Sequence, residues 1–335
     1  MDAPAPDFAR ASLRTSTYRQ YSRLWERFTD LALARGFSCL PVSTEHFEIL
    51  LADFAAATAS TSSTQKLLAA VTFFHRYHGF QPPATAARGR LILRGIARTY
   101  ARPVKRAAPI TPDIVKAAIY YQIGSDLDKR FGFAVSLITW RTVAQLVISF
   151  AGLARFHCLT NISMKDVVFI NGGVQLTFWN TKTDTLNAGQ TIFLSPVASY
   201  ACPVRFIASY FARLQWEAFL GGFFPYVGPL LPSLTARGGS SSGVTSLSPT
   251  ARPFSKQAAT ISLRAHLTHL GVPNAASYTL HSGRRGGATH AALNGCDFIS
   301  IKRQGRWASD SCPQLYIDEA ATLRSTFSRF LGLET

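Results

Sequence analysis

Acidic residues are scarce in this chain, whose 335 residues include 18 Asp and Glu against 35 Lys and Arg. The net charge of +17 predicts a polyanionic partner, and nucleic acid is the simplest one. An anionic membrane surface is a weaker alternative. Scarce carboxylates also argue against a metal-dependent nuclease or transposase, which needs clustered acids, so we expect no metal site. The acids that would have to supply such a cluster are scattered at Asp166, Asp184, Asp297 and Asp310.

Cysteine pairs and long apolar runs are also lacking. The five cysteines are scattered and show no Cys-x-x-Cys, which argues against a disulfide framework or a zinc site and for a reducing compartment. The apolar run 143–154 is too short to span a bilayer and is typical of a buried helix. The N-terminus lacks a secretion signal pattern. We therefore expect an intracellular protein that has no cofactor and does not act at a membrane.

The first hundred residues predict a loose tail over 1–12 and a helical unit over 13–101. The expected helices span about 16–35, 43–58 and 65–77. Arg19 and Arg23 lie four apart on the first helix, where a solvated face and a phosphate-binding face are equally open. Gln65 and Lys66 follow a hydroxyl-rich loop, and at a helix N-terminus they could meet a DNA backbone.

A second basic stripe follows at the end of this unit. Four arginines recur every fourth residue and predict one face of a further helix; they are Arg90, Arg94, Arg98 and Arg102. Lys105 and Arg106 continue the run into segment 102–110, which we interpret as a basic linker. The domain boundary therefore falls here, and a second domain spans 111–335.

The second domain opens at Thr111-Pro112-Asp113, a pattern typical of a helix start with Pro at the first position. Helices are expected near 112–122, 127–138, 140–151, 200–219, 255–270, 283–294 and 298–305. Strands at 166–170, 174–180 and 190–194 predict a small antiparallel sheet. The Gly/Ser-rich stretch 235–246 predicts a mobile surface loop. An amphipathic stripe near the C-terminus predicts a last helix, which packs on its own domain or docks on a neighbouring protomer; it comprises Leu323, Phe327, Phe330 and Leu331.

The stretch 281–316 concentrates the residues with the most chemistry. His281 and Arg284 lie three apart, so on a helix they share a face and could address two oxygens of one phosphate. Tyr316 ends an apolar run and could act as a nucleophile. Taken alone, the first pattern is more typical of a solvated helix face and the second of a core tyrosine.

Six residues, taken in order, favour a functional interpretation over a purely structural one. They are Arg155, Lys182, His281, Arg284, Trp307 and Tyr316. Their order and context resemble the tyrosine recombinase (phage integrase) family, its Cre-like members in particular, over nearly the whole chain. The resemblance implies a mainly α fold with a small antiparallel β-sheet, in which a helical core-binding domain precedes an α+β catalytic domain.

The resemblance also implies a metal-free mechanism, in which Tyr316 attacks a DNA phosphate and forms a 3′-phosphotyrosyl bond. Arg155 and Arg284 would hold the non-bridging oxygens. His281 would assist proton transfer, and Lys182 would protonate the departing 5′ oxygen. Trp307 would donate its indole N–H to the phosphate. The implied partners are double-stranded DNA and further copies of the chain, as a tetramer on two duplexes.

One position departs from the family pattern. The family usually places an acid three residues after the first arginine, where this chain has Cys158. The sequence therefore leaves open whether the groups around Arg155 are pre-organised for the reaction. A type IB topoisomerase and a DNA-binding relative without catalysis therefore remain alternatives. The expected location is on DNA inside the cell, in the nucleus of a eukaryotic host or the nucleoid of a prokaryotic one.

Overall fold

The computed structural model describes residues 5–83, 87–103, 106–127, 136–179, 181, 184, 188–236 and 247–314. The chain divides into two compact units, Met1–Lys105 and Arg106–Thr335, and the division falls inside the segment interpreted as a basic linker. The described parts are mainly helical, with two small antiparallel sheets in the second unit, which confirms the predicted fold class. Across these ranges, no helix combines the length and the apolar character needed to cross a bilayer.

Helices alone build the described part of the first unit. They are α1 Ala5–Ala11, α2 Thr15–Ala34, α3 Thr44–Thr58, α4 Thr61–Tyr77 and α5 Ala87–Thr99. Apolar residues at helical spacing on α2, α3 and α4 meet in one core, with Phe28, Phe47 and Phe54 at its centre. The last helix, α5, packs against α3.

The expectation of a loose tail over residues 1–12 is wrong, because α1 forms there. Asp7 lies in its first turn and Arg10 in its last, the charge order that a helix dipole favours. The Arg10 guanidinium lies 4.7 Å from the centre of the Tyr18 ring on α2, which gives the short helix a cation–π contact. Seven residues are too few to show a helical period in the sequence.

The start of α4 also corrects the sequence interpretation, which placed a loop at 60–64. The Ser60 side chain accepts a hydrogen bond of 3.2 Å from the Ser63 backbone N–H and caps a helix that begins at Thr61. Gln65 and Lys66 are exposed, but they lie in the second turn of this helix. The argument that they meet a phosphate at a helix N-terminus therefore does not apply.

Eight helices of the second unit are described. They are α6 Pro112–Leu127, α7 Leu137–Ala151, α8 Phe156–Thr160, α9 Pro203–Leu220, α10 Lys256–His269, α11 Ser282–Leu293, α12 Phe298–Gly305 and α13 Ser311–Gln314. Three strands form an antiparallel sheet in chain order, as predicted within one or two residues: β1 Val167–Ile170, β2 Gly173–Phe178 and β3 Gln190–Leu194. A second antiparallel pair, which the sequence interpretation missed, consists of β4 Pro232–Ala236 and β5 Leu247–Pro253.

Helix α7 lies at the centre of the second unit, where it contacts α6, α8, α9, α10 and α11. Residues 140–149 are all buried, because the helix is flanked by other elements around most of its circumference. Helix α11 lies close to it at Gly287. A Cβ added there would overlap the Phe150 carbonyl oxygen and would lie 3.0 Å from the carbonyl carbon. The absence of a side chain thus lets the two backbones meet.

One predicted boundary in this unit is wrong. The break expected between 138 and 140 is absent, because Ser136 accepts a hydrogen bond of 3.1 Å from the Ile138 N–H and caps one continuous α7. The predicted helix 127–138 falls mostly outside the described residues. So do residues 237–246 of the predicted surface loop and the C-terminal amphipathic stripe.

The chain enters the second unit beside the start of α11. The Ala108 N–H donates to the Ser277 carbonyl (3.3 Å), and the Ile110 N–H donates to the Ser282 carbonyl (3.1 Å). Ile110 itself is fully buried. Directly after it, the Thr111 hydroxyl accepts a bond of 3.3 Å from the backbone of α6, which confirms the predicted helix start.

Candidate active site

Arg284 is the centre of the candidate site, and its side chain has no exposure to solvent. It lies in the first turn of α11, where one terminal nitrogen donates to the Gly305 carbonyl at 2.7 Å and the other donates to the Leu153 carbonyl. The guanidinium carbon lies 4.0 Å from the centre of the Trp307 ring. These contacts fix a permanently charged group in one orientation, as a phosphate-binding arginine requires.

A tight turn before α11 sets the position of His281. The Thr279 N–H donates to the Ser282 hydroxyl at 2.9 Å, and the His281 N–H donates to the Thr279 hydroxyl at 3.1 Å. His281 is then the residue immediately before the helix, one turn from Arg284, so the predicted shared face is present.

The environment of His281 lowers its pKa below the ordinary value of 6.5. Reduced hydration of the ring is the largest cause, although the side chain remains exposed at the surface. The positive charges of Lys256, Arg284 and Arg155 act in the same direction. The imidazole is therefore neutral near pH 7 and can accept a proton.

Arg155 directly follows the apolar run 143–154, which was interpreted as a buried helix, but it precedes a separate helix and does not end that one. Helix α7 stops at Ala151, and Leu153 adopts a left-handed conformation with φ of 45°. Arg155 then precedes α8, and its carbonyl accepts a bond of 2.9 Å from the Cys158 N–H. Its side chain is half-buried, and its positive charge contributes to the lowered pKa of His281.

Trp307 reaches Arg284 because the chain reverses direction after α12. Arg306 adopts the left-handed conformation there, and the Trp307 N–H donates to the Lys302 carbonyl at 3.1 Å. The indole ring is buried, with 4% of its surface exposed. Gly305 is required at this reversal, because any Cβ would overlap that ring.

Arg306 is the residue that sequence reasoning left without a role. It is buried, and its guanidinium carbon lies 4.3 Å from the centre of the Phe178 ring on β2. Burial lowers the pKa of Arg306 to about 10; a charge on Cys158 would raise it and that of Arg155 lowers it. The triplet Gly305-Arg306-Trp307 is visible in the sequence, but the left-handed backbone conformation of Arg306 is not.

The structure thus brings together Arg155, His281, Arg284 and Trp307. Cys158, at the position where the family usually has an acid, is buried in α8. Lys182 and Tyr316 lie outside the described residues. Next to Lys182, Thr181 is buried and its hydroxyl donates to the Gln190 side chain at 2.7 Å. Within the described ranges, no cluster of three His, Cys, Asp or Glu side chains could hold a metal ion.

The residues predicted to bind DNA in the first unit are exposed wherever they are described. Arg19 and Arg23 lie on α2, and both line a groove along that helix. On α5 the exposed set is Arg90, Arg94 and Arg98, whereas Ile96 is buried. Arg102 is exposed but lies beyond α5, which ends at Thr99, so the predicted helical stripe has three members. Arg106 is exposed in the linker, and Lys105 lies outside the described residues.

Solved structures that share this fold include the following three, each with a TM-score of 0.50 or above. XerH site-specific recombinase bound to a palindromic difH substrate matches at 0.52, with 14% identity over 84% of this chain and 70% of that chain. The Tn1549 transposon integrase in complex with circular intermediate DNA matches at 0.51, with 13% identity over 95% and 94%. A lambda integrase dimer bound to a COC′ core site matches at 0.50, with 14% identity over 91% and 89%.

The fold is therefore that of the tyrosine recombinases, with two domains as predicted. In sequence, the chain is 25% identical over 309 residues to a curated integrase/recombinase xerD homolog of Selenomonas ruminantium, covering 91% of this chain and 82% of that relative. No family model matches the chain. The relative and the solved structures to which this chain is similar are recombinases and integrases.

Proposed function

We propose that this chain cuts and rejoins DNA at a specific site through a covalent 3′-phosphotyrosyl bond to Tyr316. The observation that carries the proposal is Arg284, a fully buried guanidinium with His281 and Arg155 beside it. A charged group that is held rigidly in a water-poor site stabilises developing charge better than one that must reorganise. The relatives that match in sequence or in fold are recombinases and integrases, several of them solved on DNA.

In the proposed reaction, the Tyr316 oxygen forms a bond to phosphorus while the bond from phosphorus to the 5′ oxygen breaks. Lys182 donates the proton that the departing 5′ hydroxyl gains. Arg155 and Arg284 bind the non-bridging oxygens, whose charge increases in the transition state. A free tyrosine has a pKa of about 10, so the surrounding cations are needed to make the phenol a nucleophile near neutral pH. Rejoining is the same step in reverse, with a 5′ hydroxyl as the attacking group.

His281 accepts the proton that Tyr316 loses, which requires the neutral imidazole. Because its pKa is lowered, we expect the rate of adduct formation to stay level down to pH 6.5 and to fall only below it. His281→Gln should lower the rate about 100-fold and remove this acid limb. The measurement is a pH–rate profile. His157→Gln, which changes an exposed histidine of α8, is the control and should keep the wild-type profile. If the rate of adduct formation by His281→Gln falls at low pH along the wild-type curve, the group that titrates is not His281.

The first unit would bind the DNA backbone through its exposed arginines on α2 and α5. Contacts of this kind release counterions, so binding should weaken steeply as salt is raised. Exchange between two duplexes needs four cleavage events, which implies a tetramer on DNA. Such a protein would act wherever the DNA of its host lies, in a nucleus or a nucleoid.

The decisive test compares wild type with Tyr316→Phe on a nicked suicide substrate, in EDTA, on a denaturing gel. The site would first be located by sequencing DNA that is recovered with the protein. We expect a covalent adduct with wild type and none with Tyr316→Phe, while both bind the DNA equally well. Phe keeps the ring and removes only the hydroxyl.

Two other outcomes separate the remaining candidates. Salt-sensitive binding without any adduct would favour a DNA-binding relative that has lost catalysis, the reading that Cys158 supports, and Cys158→Asp would then be the first variant to test for regained cleavage. An adduct that is accompanied by relaxation of supercoiled DNA, without exchange between two duplexes, would favour a topoisomerase.

A further inference from the structure

Arg306 is a buried cation whose partner the described residues do not provide. Its side chain is 9% exposed, and neither terminal nitrogen has a hydrogen-bond acceptor in the described part of the chain. A buried charge normally has a partner, because removal from water is costly unless something compensates for it. An anion that arrives from outside would supply that compensation.

Arg141 shows how a purely structural buried arginine looks in the same unit. It is 5% exposed, it stacks on the Phe254 ring at 3.5 Å, and burial lowers its pKa to about 10, as for Arg306. One of its terminal nitrogens, however, donates to the Pro232 carbonyl at 2.7 Å. Arg306 has the same burial and the same kind of ring contact without such an acceptor. The described residues therefore leave its charge uncompensated.

The backbone of Arg306 gives a second, independent indication. Its φ is 54°, a left-handed conformation that glycine adopts freely and a side chain adopts only under strain. Glycine at this position would relieve both the strained backbone and the buried charge. A strained residue that also buries an uncompensated charge is typical of a functional position.

The position of Arg306 identifies the anion. Its neighbour Gly305 accepts a hydrogen bond from Arg284, its other neighbour Trp307 stacks on Arg284, and its pKa responds to the charge of Arg155. It also lines a cavity of about 760 Å³ that is open to solvent. A DNA phosphate held by Arg155 and Arg284 would thus lie near Arg306, although neither of those two arginines lines the cavity itself. Cys158, the remaining titratable group that acts on Arg306, is a thiol and carries no permanent negative charge.

We propose that Arg306 is a third guanidinium that binds the scissile phosphate, beside Arg155 and Arg284. This assignment rests on the proposed function. It makes Arg306 a catalytic residue that shares the charge of the transition state. The phosphate in turn supplies the acceptor that the guanidinium lacks in the free protein.

The first experiment uses inorganic phosphate and no DNA. Thermal unfolding is followed in increasing phosphate, with sodium chloride at matched ionic strength as the reference. Wild type should gain stability in phosphate beyond the chloride curve, and Arg306→Gln should lose at least half of that gain. Arg141→Gln and Arg303→Gln are the controls, since the first removes a buried structural arginine and the second an exposed one on the same helix. Both should retain the gain; equal losses in all three variants would overturn the assignment.

The second experiment measures adduct formation on two substrates, one with a normal scissile phosphate and one with a methylphosphonate there. Arg306→Gln should lower the rate about 100-fold on the phosphate and less than about 10-fold on the methylphosphonate, which lacks one charged oxygen. Arg303→Gln should lower both rates by the same small factor. A wild-type rate in Arg306→Gln, or an equal loss on both substrates, would overturn the proposal.

The two experiments together distinguish a failure of the proposed function from a failure of the role assigned to Arg306. If wild type forms no adduct, the proposed function fails, while the phosphate titration still decides whether Arg306 binds phosphate. If wild type forms the adduct and Arg306→Gln behaves like wild type in both experiments, only the assignment of Arg306 fails. Should Arg306→Gln not fold, Arg306→Gly, which suits the left-handed conformation, replaces it in both experiments.

Discussion

Arg284→Lys is expected to lower the rate of covalent adduct formation about 1,000-fold while positive charge is kept at the position. A lysine has one nitrogen and cannot reach both the Gly305 and Leu153 carbonyls, nor can it stack flat on Trp307. One acceptor would be left unpaired in a buried site, which should also lower the free energy of unfolding by about 2 kcal/mol. Single-turnover cleavage measures the first effect and urea unfolding the second.

The neighbouring arginine is the matched control. Arg285 is also buried, at 8% exposure, and lies one position further along α11. Because one residue is about 100° of helix rotation, its side chain leaves the helix in another direction. Arg285→Lys should therefore lower the cleavage rate less than about 10-fold. Equal losses in the two variants would contradict the assignment of the phosphate-binding role to Arg284 and not to Arg285.

Gly286→Ala is expected to destabilise the second unit by about 3 kcal/mol or more, or to prevent its folding. A Cβ at this position would overlap the Ile110 carbonyl oxygen and would lie 2.7 Å from both the carbonyl carbon and the nitrogen of Ile110. All three are backbone atoms, which cannot rotate away. Helix α11 would have to shift and would displace Arg284. Tryptophan fluorescence in urea follows this unit, which contains four of the five tryptophans.

Gly95 provides the opposite case in the first unit. It is exposed on α5, and a Cβ there would meet no atom within 4 Å. Gly95→Ala should therefore stabilise the first unit by about 0.5–1 kcal/mol, because alanine loses less backbone entropy in a helix. A loss of stability in Gly95→Ala similar to that of Gly286→Ala would show that helical glycine in this chain matters for a reason other than space.

The parts of the site that are local in sequence were predictable. His281 and Arg284 lie one helical turn apart, and the spacing alone gives their shared face. The order of the six family residues added Trp307 and Arg155, although it did not show that a new helix begins after Arg155. A left-handed residue at Leu153 separates the two helices, and apolar periodicity does not reveal such a break.

The parts that depend on tertiary contacts were not predictable. The β4–β5 pair contains Pro232, Pro249 and Pro253, which conceal a strand pattern. The burial of Arg306 results from the chain reversal after α12 and from the position of Phe178 on another element. Charge spacing along one helix contains no information about either contact. The role that we propose for Arg306 therefore rests on its burial and on its missing acceptors, which only the structure shows.

The entry of the chain into the second unit has a mechanical consequence. The backbone bonds of residues 108 and 110 attach the linker to the segment that leads into α11, and the second of them ends on Ser282, two residues before Arg284. Tension along the linker is therefore borne by the first turn of α11, the helix that carries Arg284. In the proposed reaction, a pull on the first unit by bound DNA would reach the residues that we assign to cleavage through the covalent chain itself.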